Sequence, residues 1–236
     1  MFKQLFKISL LIFLPTVIYA GAVRISPVQV DFIDHEKSSS IMLSNESTES
    51  NNLQIRVFKW LQDENGIDQY LPTDDIAISP SIVRLKPNGT NNIRFVRLNN
   101  DIAVQEQAYR IIIDELPKPV DTRKVSTGLE VLVRSSLPLF ITNRNNITNI
   151  KAEIISVDHK TYVQVKNVGS RYILLQDMVV TDSLSNKTYR PQISTTNGYI
   201  LAGKTRKYEI TEGLESFQKP QQLHIKFKVN GKDYSF

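Results

Sequence analysis

The residues best equipped for catalysis are few and scattered. Histidine occurs three times, at His35, His159 and His224, each in a different stretch of chain. No two have the spacing of metal ligands, or of a base beside an orienting acid. Gly169-Ser170 places a serine beside a glycine but lacks the strand, sharp turn and helix of a nucleophile elbow. No glycine-rich phosphate loop is present. Asp74 and Asp75 are adjacent, and neighbours in an extended chain point apart, so they cannot share paired acid and base work. The chain has no cysteine, which excludes thiol nucleophiles, thiolate metal sites and disulfides. The Asn-x-Ser/Thr triplets at Asn45, Asn88, Asn146 and Asn186 are what an Asn-rich chain produces by chance. The expectation is a protein that is no enzyme and holds neither metal nor cofactor.

A different kind of chemistry is written between Gly128 and Ile141. Leu129, Val131, Val133, Leu137, Leu139 and Ile141 fall on odd positions, while the charges of Glu130 and Arg134 fall on even ones. A period of two describes a strand with one apolar face. Such a face either belongs to the protein's own core or is meant for another protein. The run follows a charged, proline-containing segment, Pro117 to Thr127, that reads as a loop. It also lies near the middle of the chain, where a domain would end.

The elements around that run are strands throughout. Short stretches rich in Val, Ile, Thr, Tyr and Phe alternate with Asn, Gly, Asp and Pro clusters, which predicts an all-β chain. Strands are expected at Val23–Ile33, Ser39–Asn45, Leu53–Leu61, Ile82–Leu85, Asn92–Leu98, Gln107–Glu115 and the run ending at Ile141. They make one sandwich, with Asp63 to Asp75 and the turn Lys86-Pro87-Asn88-Gly89 as connections. Beyond a polar linker at Asn143 to Asn146, a second and smaller sandwich is expected. Its strands are Ile150–Val157, Thr161–Val165, Tyr172–Val180, Lys187–Arg190, Arg206–Ile210, Gln222–Lys228 and Asp233–Phe236. Ser185-Asn186 and Asn230-Gly231 read as hairpin turns.

Residues 1–20 combine Lys3 and Lys7, an apolar stretch from Ile8 to Val17, and small residues at Ala20, Gly21 and Ala22. This reads as a secretory signal peptide cleaved after Ala20 or Ala22. No later segment is long and apolar enough to insert in a membrane. The division is therefore signal peptide 1–20, first domain 21–142 carrying the alternating run, and second domain 143–236. Loss of Lys3 and Lys7 takes the formal charge from +5 to +3. The remaining Lys and Arg are interspersed with Asp and Glu, so nucleic acid is not an expected partner.

Several short motifs, in this order, resemble the periplasmic chaperones of chaperone-usher pilus assembly. They are Ile25-Ser26-Pro27-Val28-Gln29-Val30-Asp31-Phe32, Ser44-Asn45, Ile82-Val83-Arg84-Leu85-Lys86-Pro87 before Ile93-Arg94-Phe95, Gln107-Ala108-Tyr109-Arg110 before Glu115-Leu116-Pro117, and Lys166-Asn167-Val168-Gly169 before Tyr172-Ile173. The absent cysteines, Pro27 and Tyr109-Arg110 are similar to the archaic branch of that family. The resemblance implies two immunoglobulin-like domains in an L or boomerang arrangement, working in the periplasm. It also implies partners: pilus subunits and an outer-membrane usher. The alternating strand would fill the groove of a subunit that lacks its own last strand, the donor-strand form of β-strand addition. Leu129, Val131, Val133 and Leu137 would enter that groove, and self-association would mask the strand in the free protein. The competing reading is a secreted immunoglobulin-like pilus subunit or adhesin, which should carry its donor strand ahead of its first domain.

The resemblance also exposes a departure. The family's usual pair for holding the subunit's C-terminal carboxylate is an Arg on the first strand and a Lys on the alternating strand. Here Gln29 and Pro138 stand at those positions, and neither is a cation. Arg110, supported by Arg94 or Arg97, is the candidate replacement, because guanidinium groups bind carboxylates bidentately. For Arg94 an ion pair with Glu106 is the equally open alternative.

Overall fold

The computed structural model describes residues 23–99, 104–117, 131–193, 198–210 and 223–236, and the regular structure among them is entirely β. The signal-peptide segment 1–20, Leu129 and Glu130 lie outside the described residues.

The first ten strands are β1 (Val23–Ser26), β2 (Val30–Ile33), β3 (Ser38–Asn45), β4 (Asn51–Gln62), β5 (Asp68–Pro72), β6 (Ile76–Ser79), β7 (Ile82–Leu85), β8 (Thr90–Arg97), β9 (Gln107–Leu116) and β10 (Arg134–Thr142). They form a four-stranded sheet, β1-β3-β8-β6, and a six-stranded one, β2-β10-β9-β4-β5, with β7 beside β4. Both sheets alternate, and their apolar faces meet in one core that includes Phe32, Ile41, Leu43, Ile55, Ile93, Phe95, Tyr109 and Ile111. Side chains two apart on a strand share a face, so this packing follows from the period alone.

The remaining strands are β11 (Ile150–Val157), β12 (Lys160–Asn167), β13 (Ile173–Asp182), β14 (Thr188–Tyr189), β15 (Tyr199–Ile200), β16 (Thr205–Glu209), β17 (Leu223–Val229) and β18 (Lys232–Ser235). A three-stranded sheet, β11-β12-β16, faces a five-stranded one, β14-β13-β17-β18 with β15 beside β13. A second core, including Val163, Val165, Val180, Ile225 and Phe227, lies between them. Asp177 adopts a positive φ where the β13–β17 register shifts. That bulge moves the buried side chains from Ile173 and Leu175 to Met178 and Val180, an odd-to-even switch that one extra residue produces.

Three expectations need correction. Val23–Ile33 is two strands in different sheets, because the chain crosses the sandwich between Ser26 and Val30. The supposed connection from Asp63 to Asp75 contains β5, whose residues are mostly exposed on both faces and therefore show no alternation. β6 and β15 were also silent in the sequence; the first is a four-residue sheet edge and the second has two residues.

The motif asparagines are structural. Asn45 Nδ2 donates to the carbonyls of Glu49 and Lys86. In the second sandwich, Asn167 Nδ2 donates to the carbonyls of Arg171 (2.8 Å) and Ile200 (3.0 Å), while its Oδ1 accepts from Gly169 N. A Cβ at Gly169 would collide with the Ile147 carbonyl, so this tight crossing requires glycine. Asn167→Ala strands buried backbone groups and should cost about 2–3 kcal/mol. A urea midpoint within error of wild type would refute that role.

Candidate functional site

The alternating run divides along its length. β10 pairs antiparallel with β9 from Ile141 opposite Gln107 to Arg134 opposite Asp114 without a break. The ladder reaches one residue further, since Glu115 N donates to the Val133 carbonyl at 3.0 Å. Across this register the odd side chains keep one direction. Leu139 and Ile141 lie in the first core, and so does Leu137, which is only 5% exposed. Leu137 is therefore not a side chain free for a partner groove, because the facing sheet already covers it. Val131 and Val133 are 70% and 52% exposed. Leu132, on the opposite face, is also exposed.

The outer edge of β10 is open over the same stretch. β2 pairs with β10 only from Leu139 to Thr142, which leaves residues 134–138 with β9 alone among the described residues. The Glu115 to Val133 bond marks a hydrogen-bonded pair, and such pairs alternate along an antiparallel ladder. Leu137 is then bonded to β9, while the nitrogen of Pro138 points at the open edge. Pro138 costs the ladder nothing there, consistent with the edge positions that tolerate proline.

The even face of β10 serves a second purpose. Phe140 joins Trp60, Ala108 and Leu201 in a buried cluster, with Tyr172 and Tyr199 packed against it. This cluster is the seam between the two sandwiches. Phe140 stacks on Tyr172 with centroids 4.1 Å apart, and Trp60 meets Tyr199 edge-on at 5.3 Å. Such pairs add about 0.5–1.5 kcal/mol each beyond their buried area. Polar contacts flank the rings. Gln62 Oε1 accepts from Leu201 N (2.9 Å), and Gln62 Nε2 donates to the Tyr199 carbonyl (2.8 Å). Arg206 pairs with Asp68 at 2.8 Å. Gly66 has a positive φ, and a Cβ there would lie 2.7 Å from the Thr205 carbonyl, so glycine lets the β4–β5 turn reach the second sandwich.

The candidate cations do not cluster. Arg110 is 6% exposed and sits in the seam, its guanidinium 3.7 Å from the Trp60 ring centre and 5.1 Å from that of Tyr199. Burial draws its pKa down, opposed by Tyr70, Tyr199 and Asp68. Arg110 Nε and Trp60 Nε1 are buried donors without a hydrogen-bond partner among the described residues. Arg94 is exposed on the outer side of the four-stranded sheet, between the inward-facing Ile93 and Phe95, and donates to Ser38 Oγ. The whole core separates it from Arg110, so it gives Arg110 no support. Arg97 is buried, pointing inward with Ile93 and Phe95, and donates to the Asp34 carbonyl. Gln29 holds Asp31 and the Tyr172 hydroxyl, which makes the first-strand position part of the seam. His35, His159 and His224 lie far apart in the chain, and no three His, Asp or Glu side chains gather as metal ligands among the described residues.

Glu106 belongs to the seam rather than to Arg94. Its side chain is 1% exposed, accepts from Tyr172 N at 2.7 Å, and lies 3.6 Å from Arg171. Burial pushes its pKa from 4.5 up to about 7, and the contacts with Tyr172, Thr142 and Arg171 offset only part of that rise.

A family model described as pili and flagellar-assembly chaperone, PapD N-terminal domain, matches residues 22–144. The chain belongs to this chaperone family. The chain is 25% identical over 134 residues to the probable fimbrial chaperone LpfB of Escherichia coli O157:H7, a match covering 56% of this chain and 55% of that protein. The match thus spans about half the length of that curated relative. Its fold is similar to a chain in the CsuC–CsuE chaperone–tip adhesion subunit pre-assembly complex from the archaic Csu pili of Acinetobacter baumannii (TM-score 0.68, 22% identity, 91% and 97% of the two chains covered). It is also similar to a chain in the complex of the SafA pilin with the SafB chaperone of Salmonella enterica (TM-score 0.63, 15% identity, 92% and 96% covered). At these identities the likeness establishes the two-domain all-β fold.

The seam residues Trp60, Phe140, Tyr172 and Tyr199 escaped the sequence reading. The available signal was parity: Phe140 and Trp60 are large apolar residues on the even positions of strands whose odd positions fill the core.

The raised pKa of Glu106 gives a signed prediction. The folded protein binds the Glu106 proton more tightly than the unfolded chain, so this contribution is fully present below pH 4.5 and lost as pH rises through about 7. The loss is on the order of 3 kcal/mol for a fully buried group. Glu106→Gln should flatten that fall in urea unfolding measured from pH 4.5 to 8. Parallel curves for variant and wild type would sink the assignment.

Proposed function

We propose that this chain is a periplasmic, non-enzymatic chaperone that captures pilus subunits by donor-strand pairing and passes them to an outer-membrane usher. The observation that carries the reading is the open edge at residues 133–138 joined to exposed Val131 and Val133. An uncovered edge strand with apolar side chains invites a strand from another chain. Leu129, Val131 and Val133 are the groove-filling set; Leu137 leaves it, because it is spent on the chain's own core. Each fully buried apolar side chain contributes roughly 1.5–3 kcal/mol as an upper bound. The Csu and Saf structures are complexes of a chaperone with a tip adhesion subunit and with a pilin, which supports pilus subunits as the cargo. The relation to the Csu chaperone agrees with placement in the archaic branch. Self-association over the same edge is the physically sensible state of the protein without cargo.

Arg110 is the proposed anchor for the subunit's terminal carboxylate. Asp68 pairs with Arg206 in the seam, and its charge also bears on Arg110 without contacting it among the described residues. A terminal carboxylate entering there would balance the charge and accept from the buried donors Arg110 Nε and Trp60 Nε1.

Val131→Asp with Val133→Asp should leave urea stability within about 0.5 kcal/mol of wild type, as for exposed sites, and abolish co-purification with the pilin of the same gene cluster. Retained pilin would refute donor-strand capture. Arg110→Gln removes the charge while keeping a stem to pack on Trp60, and should lower pilin capture well below that of Arg110→Lys. Equal capture by both variants and wild type would remove Arg110 from the anchor role.

A further inference from the structure

The donor segment leaves the sandwich at a point held by charge rather than by packing. Leu137 is its last core side chain on the N-terminal side. Beyond it, Arg134 stands directly opposite Asp114 in the ladder. Asp114 Oδ1 accepts from Arg134 Nε and Oδ2 accepts from Arg56, each at 2.5 Å, and the Asp114 side chain is only 14% exposed. Three neighbouring strands, β4, β9 and β10, are tied through one carboxylate. One residue further, Val133 N lies 3.4 Å from Glu115 Oε2.

We propose that Asp114, acting through Arg134, is a positioning residue for subunit capture, fixing the register at which Val131 and Val133 are presented. This rests on the donor-strand reading above. The physical need is specific. A slip of one residue along β9 turns every side chain of a strand to the opposite face. On the N-terminal side of Leu137, where core contacts end, little else opposes a local slip. Arg134 is the charged even-numbered residue in the described part of the run, and a one-residue slip would pull it away from Asp114 and set the uncharged Val133 or Ser135 opposite the carboxylate. Isolated surface ion pairs hold little, but a carboxylate shared by two guanidinium groups in good geometry is the exception. Holding the segment in its bound register before the subunit arrives removes ordering cost from binding.

The test uses the full chain and the pilin of the same gene cluster, deprived of its own N-terminal extension so that it cannot polymerise. The purified complex is challenged with excess tagged wild-type chaperone, and transfer of pilin to the tag is timed. Asp114→Asn should release pilin roughly tenfold faster, the ratio that a single lost charge-assisted contact gives. It should also accelerate amide exchange at Val133 and Glu115, whose amides bond across this end of the ladder, with global unfolding unchanged. Asp114→Glu should restore most of both. A purely structural role would move the unfolding midpoint and not the local exchange. If Asp114→Asn destabilises the whole fold, Arg134→Gln, which removes the largely exposed partner, decides by the same two measurements. Wild-type release and exchange in these variants would overturn the proposal while the Val131/Val133 double variant still failed to capture. Capture by that double variant would instead bring down the donor-strand reading itself.

Discussion

The unbroken register between β9 and β10 is the constraint on which the rest depends. It carries one set of odd-numbered side chains from the interior of the first sandwich to its rim without a bulge, so Ile141, Leu139 and Leu137 are enclosed while Val133 emerges at the rim. Because successive side chains alternate, that register also commits the even positions. Phe140 is turned outward onto Tyr172, and the seam between the domains is built on the back of the strand whose outer edge is open. Interior, seam and open edge thus share one short segment, and they cannot be varied independently.

The seam is not a simple apolar contact. Its rings are bordered by Gln62, Asp68 and Arg206 on one side and by Gln29, Asp31 and Glu106 on the other. The hydrogen bonds that Gln62 accepts from Leu201 N and donates to the Tyr199 carbonyl fix direction, which ring packing alone leaves loose. Glu106, buried against Tyr172 N with one oxygen lacking a hydrogen bond, is the place where this arrangement is held at a cost.

Much of the fold was legible because a period of two is local. Ile41 and Leu43, or Ile93 and Phe95, announce their common face within four residues. Ownership of a face is not local: Leu137 and Val133 obey the same alternation, and only the facing sheet decides that one is enclosed and the other is not. β5 was hidden because, beyond Asp68 in the seam, its residues are exposed on both faces. Arg110 could be recognised as a cation, but its ring partners, Trp60 and Tyr199, are 50 and 89 positions away in the numbering. Arg94 and Arg97 looked equivalent in the sequence, yet one position of parity and one of depth put them in different surroundings. That Gln29 and Pro138 carry no charge was visible at once, whereas the contacts of Gln29 required the second sandwich to be in place.

Pro138 has a consequence for any strand that docks on this edge. Along the outer side of β10, the backbone amides of Arg134 and Ser136 point outward, and the next outward nitrogen, at Pro138, carries no hydrogen. Immediately after it β2 takes over the edge at Leu139. The exposed ladder therefore has a terminator as well as a beginning. A visiting strand that zips up from the rim would run out of donors at Pro138 and meet an occupied edge one residue later, so the backbone itself sets the length of any strand this edge could pair with.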